Sequence, residues 1–379
     1  MRRRSFLKFT GCAAAATAFS QSGLLPDFVG GVQNACAFAS TTKLSQVEAR
    51  HYKKLENGGI ECGICPRHCQ VTDLERGFCG TRENHGDTYY TLVYGYPCSL
   101  NIDPIEKKPL FHYYPGTTAL SLATAGCNVD CKFCQNWEIS QSRPEQTDNI
   151  ELSPDGVVEI AKKRRVPTVA YTYSEPVIFY EYMYDIAERG QRHAIGSVMI
   201  TGGYIEKEPL KQLIPHLDAI KVDLKSIREA YYRDVVRGEL KPVLDALVQM
   251  RDSGIWLELV NLIVPTLNDS PEEFRELAVW IKANLGADTP LHFSRFYPQY
   301  LLQNLPPTPQ KTLELAHEIS KAEGLNFVYL GNLPGHPAES TYCPKCGAVL
   351  IERAGFRIKQ NNLKGDKCPR CGRIIPGKF

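Results

Sequence analysis

The sequence predicts an α/β protein: a partial, TIM-like (β/α)6 barrel with an N-terminal Cys-rich segment and a C-terminal zinc-ribbon-like tail. Three observations predict it. From residue 118, apolar strand-like runs alternate with helical patterns at a period of roughly 30–40 residues. Twelve of the 14 cysteines follow residue 40 and fall in tight sets at 62/65/69/79, 127/131/134 and 343/346/368/371, with Cys98 alone. That clustering in a long chain favours metals over a disulfide framework. The last set reads Cys-Pro-x-Cys-Gly twice, a zinc-ribbon pattern.

The strand-like runs are 118–125, 166–173, 195–201, 218–224, 255–264 and 289–297, with a weaker one at 325–331. Helical patterns lie at 153–165, 176–190, 206–214, 239–253, 270–285 and 309–323. Ser153 before Pro154 and Ser270 before Pro271 read as N-caps followed by proline at the first helical position. Repeated β-α units imply parallel strands with right-handed crossovers. Six units suffice for a partial barrel and fall short of eight. The expected division is 1–39 leader, 40–117 Cys-rich segment and linker, 118–335 barrel, and 336–379 ribbon-like tail. The composition, 43% hydrophobic and 23% charged over 379 residues, is globular. A net charge of +2 gives no basic excess for nucleic acid.

Residues 1–39 read as a targeting segment: a basic start, an alanine-rich apolar run, then Ala37-Phe38-Ala39 for peptidase cleavage. Arg3-Arg4-Ser5-Phe6-Leu7-Lys8 resembles the twin-arginine export signal. It implies the periplasm or the periplasmic face of the membrane, or the cytoplasm if the signal is not used. The apolar run is too short to span a bilayer. Cys12 and Cys36 leave with it if it is cleaved.

Cys62, Cys65, Cys69 and Cys79 lie within 18 residues, among glycines and Pro66 that let a backbone wrap a metal. They could complete a tetrahedral S4 site, zinc or a second iron–sulfur cluster. Two disulfides are the alternative. His68 reads as an exposed loop histidine and Cys98 as a buried free thiol. The charged stretch Asp103–Leu110 with Phe111–Gly116 reads as a solvated loop, or as a lid or docking segment ahead of the first strand.

Cys127, Cys131 and Cys134 follow that first strand at the spacing C-x3-C-x2-C. An iron–sulfur cube takes four ligands, one per iron. Three thiolates leave one iron open to a substrate or cofactor, and so point to a site-differentiated [4Fe–4S] cluster that activates S-adenosylmethionine. The alternative is a zinc site with a ligand borrowed from elsewhere.

In parallel barrels the site lies at the C-terminal ends of the strands. There the second strand presents Tyr171–Pro176 with Glu175, and the third Thr201-Gly202-Gly203. The fourth presents Asp223 and Lys225 on one face, the fifth Glu258 and Asn261, and the sixth His292 and Arg295. Singly, each has an ordinary structural reading. His292, for one, reads equally as a satisfied core histidine.

These motifs resemble radical S-adenosylmethionine (SAM) enzymes, in the branch similar to pyruvate formate-lyase activating enzymes. Within it, the chain resembles the radical enzyme of the AmmeMemoRadiSam system. The stretches CGICPRHC with RGFCGTR, DPIEKKPLFHYYPG, CKFCQNWEIS, AYTYSEP, LIVPTLNDS, SRFYP and VYLGNLPG carry the resemblance over residues 50–379. It implies a [4Fe–4S] cluster on Cys127, Cys131 and Cys134, with SAM chelating the open iron and Phe133 near the adenine. Tyr173–Pro176 occupies the place of a Gly-Gly-Glu-Pro motif, so Ser174 and Glu175 would face the methionine amino group. Thr201, Gly202, Asp223, Lys225 and His292 fall where activating enzymes contact the cofactor's ribose and methionine parts. Val260 stands near the place of an arginine in those enzymes.

The implied activity is reductive cleavage of SAM to a 5′-deoxyadenosyl radical that abstracts hydrogen. The implied partners are an external one-electron donor and either a protein substrate or the Memo-like and AMMECR-like members of the system. Zinc is expected on Cys343, Cys346, Cys368 and Cys371, with a rubredoxin-like iron as the alternative. Two other classes stand against the enzyme: a multi-cluster electron-transfer protein, and a metal-stapled binding module without catalysis. Ferredoxin-type runs supply cysteines in fours, and the central run supplies three.

Overall fold

The computed structural model describes residues 40, 41 and 43–379. The expected leader at 1–39, with Cys12 and Cys36, lies outside the described residues. No described helix is long and apolar enough to cross a membrane.

The main sheet has eight strands. In chain order they are β1 (Ser99–Pro104), β2 (Thr118–Ala123), β3 (Thr168–Tyr171), β4 (Gly196–Thr201), β5 (Ala219–Asp223), β6 (Trp256–Ile263), β7 (Leu291–Arg295) and β8 (Val328–Gly331). Each lies beside the next, from β1 at one edge to β8 at the other. The seven from β2 to β8 are parallel, and β1 pairs antiparallel with β2. Thus all six expected strands form, the weak run at 325–331 contributes a seventh, and the linker contributes the edge.

Sequence pattern concealed β1 for a physical reason. Its apolar Leu100 and Ile102 are partly or largely exposed, whereas Asp103 is buried toward a polar lumen. The usual polar-out alternation is inverted there, so the segment reads as a loop.

The crossover helices are α1 (Pro154–Arg164), α2 (Tyr180–Gln191), α3 (Lys207–Leu213), α4 (Leu240–Ser253), α5 (Pro271–Asn284) and α6 (Gln310–Ala322). The two expected caps are present. Ser153 Oγ accepts from Gly156 N at 3.1 Å, and Ser270 Oγ from Glu273 N at 3.2 Å. Val157, Val158 and Ala161 of α1 and Leu277, Ala278 and Ile281 of α5 are fully buried on their core faces.

The segment 105–117 closes the barrel at the end opposite the cysteine loop, and so is a floor rather than a lid. Pro104 pairs with Thr118 at the N-terminal end of β2, which puts everything between them at that end. Phe111, His112 and Tyr113 are buried there. Glu258 on β6, fully buried, accepts from Phe111 N (2.9 Å), His112 N (2.8 Å), Trp256 Nε1 (3.0 Å) and His292 Nε2 (2.8 Å). Burial disfavours its charge, but the His292 hydrogen bond and the nearby imidazoles outweigh that and hold its pKa below the ordinary value.

The tail is joined to this floor. Arg353, buried, donates to Phe111 O at 2.8 Å and to Thr341 Oγ1 at 2.7 Å. Lys378 N donates to His112 O at 2.8 Å, and Tyr114 N to Lys378 O at 2.7 Å. His112 Nδ1–H donates to Pro376 O at 2.7 Å, and Tyr329 O–H donates to Nε2 at 2.6 Å. Burial favours the neutral imidazole, which this pair of bonds accommodates.

Burial lowers the His112 pKa to about 4. The unfolded chain therefore binds the extra proton first, so folded stability falls as pH drops from about 6.5 toward about 4. A melting-temperature series should drop several degrees between pH 7 and pH 5 at constant ionic strength, at about 1.4 kcal/mol per unit of pKa difference. A flat profile would contradict this account of His112.

Candidate functional site

The cysteine loop leaves the C-terminal end of β2. Gly126 takes φ +97°, and a Cβ there would meet Thr81 Cγ2 at 2.5 Å and the Cys79 carbonyl oxygen at 2.7 Å. Only glycine passes this point. Backbone bonds then clamp the loop: Gly126 N to Ile139 O (2.8 Å), Asp130 N to Val236 O (3.1 Å) and Lys132 N to Val235 O (3.0 Å). Val235 and Val236 belong to a π-helical turn, Tyr232–Val236, a form frequent at functional sites. Asn128 Nδ2 donates to Tyr204 O at 2.7 Å, and Asn136 Nδ2 to Tyr173 O at 2.9 Å. Arg67, from the first cysteine segment, donates to the carbonyls of Asn128 and Arg237.

Cys131 is buried, and Cys127 and Cys134 are half-buried. Burial pushes all three thiols up, Cys131 to about 12 although Lys225 pulls it down. A metal bound here must therefore displace protons.

The neighbouring strand ends converge on this loop. Glu175, 4% exposed, accepts from Thr201 Oγ1 (2.5 Å) and Val177 N (3.2 Å) on one oxygen and from Gly202 N (2.8 Å) on the other. Burial still raises its pKa above the ordinary value. Ser174 Oγ donates to Thr124 O at 2.7 Å and ties the β3 turn to the cysteine loop. Tyr173 takes φ +67°, the left-handed region that glycine enters freely. Its hydroxyl donates to Asp103, and Lys108 Nζ lies 4.3 Å from its ring centre.

Asp223 bridges Lys221 and Lys225, the latter at 3.0 Å. Against the cost of burial, those two cations hold its pKa at about 2. Lys225 Nζ lies 5.8 Å from the Phe133 ring centre and within electrostatic reach of Cys131. Asn261 and Asn268 amides donate to the carbonyls of Leu224 and Lys225, each at 2.9 Å, and fix that strand end.

The structure thus gathers Cys127, Cys131, Cys134, Phe133, Ser174, Glu175, Thr201, Gly202, Asp223 and Lys225. His292 stands apart from this group. It is buried, bound to Glu258, edge-on to Phe111 and stacked on Tyr329. Val260, buried, pairs in register with both Asp223 and His292. Sequence reading passed over Lys221, although alternation puts 221 on the face of 223. It also gave no role to Asn128, Asn136 or Arg67, whose work is to bind backbone carbonyls and leaves no spacing signature.

The donor chemistry fits the implied groups. Three buried or half-buried sulfurs suit an iron–sulfur cluster with one open iron. Glu175 keeps lone-pair capacity for a ligand ammonium, and Lys225 offers a cation to a ligand carboxylate.

The two flanking cysteine sets differ. In the tail, the four sulfurs lie within 4.8 Å of one another, with Cys343 and Cys371 at 3.6 Å and Cys346 and Cys368 at 3.7 Å. A tetrahedron with metal–sulfur bonds of about 2.3 Å has edges of about 3.8 Å, so this set fits a single ion. Strands at Thr341–Tyr342, Val349–Ala354 and Arg357–Asn361 frame it.

Among the described residues no other group of three ligand atoms is that close. Cys62, Cys65, Cys69 and Cys79, expected to hold zinc or a second iron–sulfur cluster, do not form so close a group as the tail set. Cys62 ends a strand of one small sheet and Cys79 precedes a strand of another, Arg82–His85, yet Cys62 lies within electrostatic reach of Cys69 and Cys79. No disulfide links the described cysteines. His68 pairs with Glu206 at 3.1 Å.

Residues 121–281 match the Radical SAM superfamily. An uncharacterized protein of Methanocaldococcus jannaschii is 48% identical over 330 residues, 86% of this chain and 98% of that protein. The pyruvate formate-lyase-activating enzyme of Clostridium pasteurianum is 25% identical over 169 residues, 41% of this chain and 66% of that enzyme. Among solved structures, a radical SAM methyltransferase from Sphaerobacter thermophilus aligns with a TM-score of 0.47 at 17% identity, covering 62% of this chain and 71% of that one.

Proposed function

Since this chain belongs to the radical SAM superfamily and is a radical SAM enzyme, we propose that it acts as an activase, abstracting hydrogen from a partner protein. The observation that carries the SAM chemistry is the convergence of three buried or half-buried thiols with Glu175 at the mouth of the barrel. When bound, the cluster supplies one electron to the sulfonium of SAM, giving methionine and a 5′-deoxyadenosyl radical.

The chain's own residues do the rest. Cys127, Cys131 and Cys134 hold the cluster and leave one iron to the ligand. Glu175, preset by Thr201 and Gly202, receives the ligand's ammonium. Lys225 faces its carboxylate, and Phe133 walls the adenine side. The buried floor at Glu258 and His112 excludes water from below while a radical exists.

A protein substrate is supported by the likeness to an activating enzyme and by the mouth itself. Trp137 stacks on Tyr300 at 5.4 Å, and Trp137, Tyr297 and Leu301 are exposed there. Such an apolar rim suits a protein partner. The Memo-like and AMMECR-like members of the resembled system are proposed as partners, with an external one-electron donor. Anaerobic incubation with SAM and dithionite tests the chemistry: 5′-deoxyadenosine should accumulate, and its absence would overturn the reading.

The tail's ion is proposed to be zinc, with a structural role. Chelating it should lower the melting temperature by more than about 5 °C and expose the floor to protease, because the ribbon supplies Arg353 and Pro376 to that floor. Export by the twin-arginine route is proposed from residues 1–39. Cell fractionation with N-terminal sequencing of the mature protein checks it, expecting a new start at Ser40.

A further inference from the structure

We infer that Cys62, Cys65, Cys69 and Cys79 hold a second iron–sulfur cluster that relays electrons to the site on Cys127, Cys131 and Cys134. The relay role rests on the proposed reading of that central site; the presence of the second cluster does not.

The first observation is spread. No three of these sulfurs lie within the 4.8 Å that a single ion requires, and the same holds for the central triad. Thiolates on different irons of one cluster stand farther apart than thiolates on one ion.

The second is a pair of buried donors without acceptors. Tyr89 and Arg82 are both 0% exposed, and Tyr89 Oη and Arg82 Nε have no partner. Tyr89 lies within electrostatic reach of Cys62, Cys69 and Cys79, and Arg82 of Cys62 and Cys79. A Cβ on Gly77 would lie 2.9 Å from Tyr89 Oη and 3.6 Å from Cys69 Sγ, so hydroxyl and sulfur flank the same glycine. Arg82 has Nη1 and Nη2 committed to Glu181 at 2.9 and 2.6 Å, which leaves Nε to point elsewhere. Buried donors are rarely left unpaired. Cluster sulfides and thiolates accept such bonds, which also tune the cluster's potential.

The third is adjacency. The Cys79 carbonyl abuts Gly126, the residue before Cys127, and Arg67 bonds the Asn128 carbonyl inside the central loop. On the outer side Cys69 and Cys79 are only half-buried, and Phe78 between them is 50% exposed. The set therefore stands between solvent and the central site. An external one-electron reductant reduces the second cluster, which passes that electron inward and returns to its oxidised state. No bond forms or breaks.

The test counts iron and acid-labile sulfide in the anaerobically reconstituted full chain carrying Cys127→Ala, Cys131→Ala and Cys134→Ala. About half the wild-type iron and sulfide should remain, and adding Cys69→Ala and Cys79→Ala should remove it. Zinc beyond the tail's single ion with no sulfide, or no retained iron in a folded chain, would overturn the proposal. The unmodified enzyme gives an independent check if the variant fails to fold. After reduction, electron paramagnetic resonance should show about two spins per chain, of which SAM perturbs one. A single signal wholly shifted by SAM would overturn it. For the relay, Cys69→Ala/Cys79→Ala should lower the ratio of flavodoxin-driven to dithionite-driven SAM cleavage at least about tenfold. An unchanged ratio would remove the relay role and leave SAM cleavage itself untouched.

Discussion

Cys131→Ala is expected to abolish 5′-deoxyadenosine formation, by at least about 10³-fold, while leaving the fold in place. Cys131 is the buried member of the triad and lies nearest the charge of Lys225. Its loss leaves two sulfurs for a group that needs three protein ligands to stay in place. Alanine at this position removes little volume, and the backbone clamps at Asp130 and Lys132 do not involve the thiol. The variant should therefore melt close to the wild type after both are stripped of iron. SAM cleavage by a folded, iron-reconstituted Cys131→Ala protein would refute the assignment of the triad.

Glu258→Ala is expected to cost about 4 kcal/mol or more, enough to leave much of a marginally stable protein unfolded at ordinary temperature. The carboxylate is fully buried and accepts from four donors. Removing it strands two backbone N–H groups, an indole and an imidazole inside the floor. Denaturant titration at neutral pH reads the change. A loss below about 1 kcal/mol would mean that water enters and satisfies those donors. Glu258→Gln separates the causes, since an amide keeps acceptor capacity but loses the charge and cannot accept from all four.

Much of the barrel was legible because apolar runs and capped helices repeat in step. Ser153 and Ser270 mark helix starts by a side-chain rule that acts locally, so sequence alone reveals them. Edge strand β1 was not legible, because a polar lumen inverts its pattern. The floor read as a solvated loop, a lid or a docking segment, because Phe111 and His112 carry no local sign of which end of the barrel they close. Only register with β2 decides it.

In the site, Glu175, Thr201 and Gly202 were legible as strand-end groups, and the structure joins them directly. His292 stood at such an end too, yet its partner is Glu258. Sequence position gives a strand end but not the side-chain neighbour across the lumen. The spread of the first four cysteines was equally hidden, since spacing along the chain does not report which sheets hold the ends.

The union of tail and floor bears on how the protein is made. Arg353 bonds Phe111 across 242 residues, and Pro376 bonds His112 across 264. A ribosome that has finished β8 has made seven parallel strands and their base, which still lacks the ribbon that joins it. Phe111 and His112 can meet Glu258 earlier, but the tail's bonds to the base form only when residues up to Lys378 have emerged. Such distant closure is slow, because the ordering of the chain precedes the contacts that reward it. Nascent chains should therefore remain more sensitive to protease at 105–117 until residues up to Lys378 have emerged, so that the cofactor site reaches its final, watertight form only after the ribbon is made.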